Sequence, residues 1–123
     1  MRFRRTALTA LLLPVAIVAG GPCQVAGKSA EKKKVKIVAE RFSFTPSTIK
    51  VAQGTLLELE LSSDDTFHGF RLPRANINVT IPARRRDSIQ VLFDARKPGK
   101  YPFECSRPCG AGHTMMRGVI IVE

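Results

Sequence analysis

Residues 57–61 read Leu-Glu-Leu-Glu-Leu, with Leu57, Leu59 and Leu61 alternating against Glu58 and Glu60. A period of two turns one face of an extended chain to a core and the other to water, the mark of a half-buried β-strand. The same period recurs on both sides. Upstream, Val35, Ile37 and Ala39 alternate with Lys36 and Glu40, Phe42 and Phe44 with Arg41 and Ser43, and Ile49 and Val51 flank Lys50. Downstream it returns at Ile77, Val79 and Ile81, at Ile89, Val91 and Phe93, and at Tyr101, Phe103 and Cys105. Val119 to Val122 closes the chain as a continuous apolar run. Between these segments stand turn formers: Pro46-Ser47, Gln53-Gly54, Ser62 to Asp65, Pro73, Pro82 and Pro98-Gly99. Beyond the N-terminus no stretch of ten or more residues holds a helical period. Seven or eight short strands at regular spacing predict an all-β sandwich or barrel.

The chain has 123 residues, enough for one domain with a modest core. With 44% hydrophobic residues it is not a disordered polymer. Three cysteines are too few for a disulfide-dense mini-protein, and no apolar run reaches the length of an ordinary membrane span. The N-terminus reads as an export signal or N-terminal anchor over residues 1–27. Arg2, Arg4 and Arg5 precede the apolar stretch from Ala7 to Ala19, and small or tolerated residues stand at Val18/Gly20 and Val25/Gly27. Cys23 follows Pro22, a poor lipoprotein signal, and is expected to leave with the leader. Cleavage after Gly27 leaves 96 residues and lowers the formal charge from +10 to +7. Residues 28–34, with four lysines and one glutamate, read as a solvated basic linker, and the domain is expected over 35–123.

One segment carries chemistry. Cys105-Ser-Arg-Pro-Cys109-Gly-Ala-Gly-His113-Thr-Met-Met116 gathers two thiols, an imidazole and thioethers in the spacing C-x3-C-x3-H-x2-M. Structural zinc favours C-x2-C pairs and rarely takes methionine, whereas thiolate, imidazole and thioether together suit copper. Gly110 and Gly112 ease a loop that must curl around an ion. A second imidazole stands in Thr66-Phe67-His68-Gly69-Phe70; alone it is as readily a core or surface histidine. Phe67, Phe70, Tyr101 and Phe103 are read as core.

The pattern resembles the dinuclear copper (CuA) domain of cytochrome c oxidase subunit II and of the electron-entry domain of nitrous oxide reductase. That resemblance covers about Val35 to Glu123. It is carried by His68-Gly69-Phe70 and by Cys105, Ser106, Cys109, Gly110, His113 and Met116 in the order C-S-x-x-C-G-x-x-H-x-x-M. It implies a cupredoxin-like Greek-key β-sandwich that binds copper, two ions or one, and carries single electrons without being an enzyme by itself. It also implies a ligand set. Cys105 and Cys109 would bridge both metals, His68 and Met116 would complete one, and His113 with the Arg107 carbonyl the other. Family spacing favours Met116 over the adjacent Met115. Two departures stand out. The family commonly has Glu where this chain has Arg107, a side chain that meets magnesium at the oxidase interface, and subunit II usually has two membrane helices before the copper domain. A free-standing or singly anchored domain in an exported, extracytoplasmic setting is therefore expected.

Two alternatives stay open on the residues. Soft ligands serve copper delivery or storage equally well, and a Cys105–Cys109 disulfide would make a metal-free sandwich module. The basic balance favours a redox partner with an acidic surface. Nucleic acid is not expected, since Arg84-Arg85-Arg86 lies in a turn without interleaved aromatics. A membrane is met only through the N-terminal anchor.

Overall fold

The alternation at Leu57, Leu59 and Leu61 is obeyed: in the computed structural model, which describes residues 14, 20–21, 29–84 and 87–123, all three are fully buried. They lie on β4 (Leu56–Ser63), in a sheet with β1 (Lys32–Glu40), β2 (Ser43–Thr45) and β7 (Ile89–Asp94), ordered β2-β1-β4-β7. A second sheet holds β3 (Thr48–Val51), β9 (Arg117–Val122), β8 (Gly99–Glu104), β5 (His68–Leu72) and β6 (Ile77–Ile81) in that order. β1 runs parallel to β4 and β3 parallel to β9, because the chain crosses between sheets instead of returning by hairpins. One core fills the space between. Ile37, Leu57, Leu59 and Phe93 face it from the first sheet, and Phe70, Leu72, Phe103 and Ile120 from the second. Burying each such side chain stabilises the fold by about 1.5–3 kcal/mol. Phe44, Phe70 and Phe103 meet as an aromatic cluster, with ring centroids 5.0–6.1 Å apart.

The architecture is the expected sandwich, with nine strands among the described residues in place of seven or eight. The additional one is β5. His68-Gly69-Phe70-Arg71-Leu72 buries four of its five residues, so it shows no alternation to read. The basic linker is also shorter than expected. β1 begins at Lys32, not at Val35, and Lys32, Lys33 and Lys34 pair in register with Leu56, Leu57 and Glu58. Backbone pairing sets this start, assisted by Lys34 reaching Glu60 at 2.8 Å on the exposed face. Phe42 falls in the turn before β2, and Phe67 is 58% exposed and outside the core where it was expected. Two single-turn 3-10 helices, Pro73–Ala75 and His113–Met115, interrupt the loops. Apart from residues 14, 20 and 21, the N-terminal leader, its anchor alternative and Cys23 lie outside the described residues, as do Arg85 and Arg86. Among the described residues no helix is long and apolar enough to cross a membrane.

Candidate metal centre

The order of the second sheet assembles the site. β8 and β9 are antiparallel neighbours, with Glu104 opposite Arg117, so the segment 105–116 is the loop that joins them. The Cys105 amide donates to the Met116 carbonyl at 3.0 Å and closes that loop at its base. β5 lies on the other side of β8, with Arg71 opposite Glu104, which brings His68 to the same end of the sheet. A hydrogen-bonded ion pair with the Arg71 guanidinium holds the Glu104 carboxyl below its ordinary range and fixes this register.

All six residues predicted from the sequence converge. Donor atoms of His68, Cys105 and Cys109 lie within 4.8 Å of one another. The two sulfurs are 3.9 Å apart and the thiols are free. Met116 Sδ is 3.3 Å from Cys109 Sγ, His113 Nδ1 is 3.9 Å from the same sulfur, and the Arg107 carbonyl accepts from Cys105 Sγ at 3.2 Å. The neighbouring methionines separate cleanly, since Met116 is fully buried and Met115 is 78% exposed. His113 is only partly buried and stands at the rim. Burial, and then the adjacent Cys105, push the Cys109 thiol up to about 11.

His68 tests whether this arrangement fits a metal. Its Nε2 lies 2.7 Å from Asp65 Oδ1. A carboxylate only accepts, so the ring proton belongs on Nε2 and Nδ1 keeps a bare lone pair. That Nδ1 is buried and has no hydrogen-bond partner. Leaving such an atom unsatisfied costs about 1–3 kcal/mol, and a cation at this point would remove the penalty. Two thiols, two imidazoles and a thioether form a donor set that fits copper.

Three contributors escaped the sequence reading. In the sequence Asp65 closes the Ser62 to Asp65 turn. It accepts from the Arg41 and Thr66 amides at 2.8 and 2.7 Å, and its carboxyl is brought down to about 2; burial opposes this, while the His68 hydrogen bond and those two amides outweigh it. A carboxylate three residues before a candidate ligand histidine was the available signal. Gly69 donates its amide to Cys105 Sγ at 3.5 Å, and Arg41 Nε donates to the Cys109 carbonyl at 2.9 Å. No local pattern marks either contact.

A two-sheet sandwich with a thiol, imidazole and thioether cluster at one end is the arrangement of a copper-binding β-domain. The family model for the cupredoxin-like domain matches residues 9–122, and the chain belongs to that family. It is similar to cytochrome c oxidase subunit 2 of Thermus thermophilus, 34% identical over 89 residues that cover 72% of this chain and 64% of that protein. It is also similar to nitrous-oxide reductase of Cupriavidus necator, 31% identical over 100 residues, 78% of this chain and 15% of that protein. The chain thus spans less than two thirds of the length of either relative. Among solved structures, a subunit of a heme-copper terminal oxidase dimer superposes with a TM-score of 0.71 at 26% identity, covering 90% of this chain and 79% of that one.

Proposed function

We propose that this domain carries single electrons through a dinuclear copper centre of the CuA type. The observation that carries the reading is the unpartnered, buried Nδ1 of His68 beside two free thiols 3.9 Å apart. Cys105 and Cys109 would bridge both ions, with His68 and Met116 on one, and His113 and the Arg107 carbonyl on the other. Bound copper supplies one-electron redox chemistry. The protein supplies rigidity and dryness: Asp65 fixes the His68 ring, the Cys105–Met116 backbone bond closes the loop, and the burial of His68, Cys105, Cys109 and Met116 keeps water from the inner side. The half-buried His113 brings the edge of the site to the surface. In this reading the domain is not an enzyme by itself, and it works outside the cytoplasm after export by its N-terminal segment. Metal analysis with electron paramagnetic resonance tests it. Two coppers per chain sharing one unpaired electron are expected, and a single isolated copper or none would overturn the assignment.

Copper delivery is a second reading, favoured by one feature. A cavity of about 250 Å3 reaches Cys105, His113 and Met116 between Arg71 and Arg117, giving a small ligand or a partner's thiol a way in. Fast reversible reduction supports the carrier, and release of Cu(I) to an apo-partner supports delivery.

Two expectations follow from the site and the charge. Met116→Leu keeps size and apolarity but deletes a weak donor, so copper should still bind while the reduction potential rises. His113→Ala removes a strong donor, and the centre should lose copper or collapse to one ion. Met115→Leu, at an exposed position, should change neither. Midpoint potential and copper stoichiometry read all three. A shift in Met115→Leu without one in Met116→Leu would move the ligand to the other methionine.

With a formal charge of +7 after cleavage behind Gly27, the suited partner is a redox protein with an acidic surface. Electron exchange with it should be fastest at low salt and slow towards physiological ionic strength, where the Debye length is about 8 Å. Charge reversal at Arg84, Arg85 and Arg86 should lower the on-rate if that cluster lies in the footprint. A rate independent of salt removes the steering argument.

A further inference from the structure

The turn between β1 and β2 supplies none of the six donors, yet it touches both segments that do. The Arg41 amide donates to Asp65 Oδ2 at 2.8 Å, and the other oxygen of that carboxylate meets His68 Nε2 at 2.7 Å. The Arg41 side chain turns the other way, and its Nε donates to the Cys109 carbonyl at 2.9 Å. Next in sequence, Phe42 lies against the Cα atoms of Gly110 and Gly112, so closely that a methyl group on either would collide with its ring.

We propose that Arg41 is a positioning residue for the metal centre, a latch that holds the His68 segment and the Cys109–Met116 loop in one register. The inference rests on the copper reading and deepens it.

The loop needs such a tie. Its base is closed by the Cys105–Met116 backbone bond, and its last turn by bonds from the His113 and Met116 amides to the Gly110 and His113 carbonyls. Between these ties the chain passes Gly110 at φ 144°, a conformation that side-chain-bearing residues rarely adopt. The Cys109 carbonyl sits at this bend. Fixing it with a guanidinium fixes the peptide plane from which the loop continues to His113 and Met116. The Asp65 contact uses the Arg41 backbone and survives any side chain. The Cys109 contact uses the side chain alone, so substitution at Arg41 cuts one half of the latch and leaves the other.

Charge adds a second, smaller effect. A cation held beside the thiols favours the reduced, less positive state of the centre. Arg41 is solvent-exposed, and the Asp65 carboxylate acts on the Cys109 thiol in the opposite sense, so water and that carboxylate offset most of its field. Positioning is therefore the main role and tuning the lesser one.

The test compares copper-loaded wild type with Arg41→Met, which keeps length but not charge or donors, and Arg41→Lys, which keeps charge but not the planar fork. Copper loss to a Cu(I) chelator, the visible spectrum, the midpoint potential and the thermal midpoint of the apo-proteins are measured together. Arg41→Met should lose copper about tenfold faster, the lower end of what removing a metal-supporting contact costs. Its spectrum should shift and its potential fall. Arg41→Lys should lose copper nearly as fast while keeping the potential closer to wild type. Wild-type copper retention and spectrum in Arg41→Met overturn the inference, and so does copper loss that merely tracks apo-protein destabilisation across the set. If wild type itself takes up no copper, the copper reading falls and the latch with it. If wild type loads and Arg41→Met matches it, only the latch falls.

Discussion

Cys105→Ser and Cys109→Ser should each abolish the two-copper centre while leaving the sandwich folded. In the proposed centre each sulfur would serve both metals, so neither would have a substitute within the site. A serine hydroxyl is a hard, weakly acidic donor that does not replace a bridging thiolate for copper. The fold is another matter. Both side chains are buried, at 6% and 7% exposure, but they follow the end of β8 at Glu104, so no strand pairing runs through them. Serine is close to cysteine in size, and the Gly69 amide that meets Cys105 Sγ at 3.5 Å finds an acceptor in either case. A buried hydroxyl left without a full set of partners costs about 1–3 kcal/mol, a shift of the thermal midpoint and not a loss of structure. Copper per chain should fall from two to one or none, and the mixed-valence spectrum should vanish in both variants. Retention of that spectrum in either sinks the bridging assignment.

What was legible in the sequence divides by contact range. The alternation at Leu57–Leu61 announces a strand because each residue reports its own burial. The donor loop announces copper because its four side chains lie within twelve residues of one another. β5 was hidden because His68, Gly69 and Phe70 are buried in succession, His68 and Phe70 on the core face and Gly69 under the start of the Cys105 loop on the other. The start of β1 was hidden because lysines on an exposed strand face look like a linker until the partner strand is known. Phe67 looked like core by residue type alone. The supports of the site were the least legible. Arg41 and Cys109 are 68 residues apart, and Gly69 and Cys105 are 36 apart, so each pair exists only once the sheets are ordered. Donor identity is therefore local information, and donor geometry is not.

Gly69→Ala should separate the halves of the metal site without touching a donor. Gly69 lies on β5 directly after His68, where the strand passes over the start of the Cys105 loop. A methyl group there would run into Ser106 Oγ and would sit 2.8 Å from the backbone nitrogens of Ser106 and Arg107. The hydroxyl can rotate away; the two backbone nitrogens cannot. The backbone at Gly69 is not in the left-handed region, so the penalty is one of approach and not of conformation. Relief requires β5 or the loop to retreat, and either movement pulls His68 from two sulfurs that now share a 4.8 Å sphere with it. Overpacking of this kind costs about 1–3 kcal/mol of stability. Copper affinity should fall by about 10- to 100-fold, because the ligands survive but their spacing does not. Gly54→Ala is the control. At φ 88° alanine is strained there too, yet a methyl group meets nothing within 4 Å and the position lies in the turn before β4. Both variants should unfold at lower temperature, while only Gly69→Ala should give up copper to a chelator. Equal copper retention in the two would mean that the approach of β5 to the loop does not set the geometry of the centre.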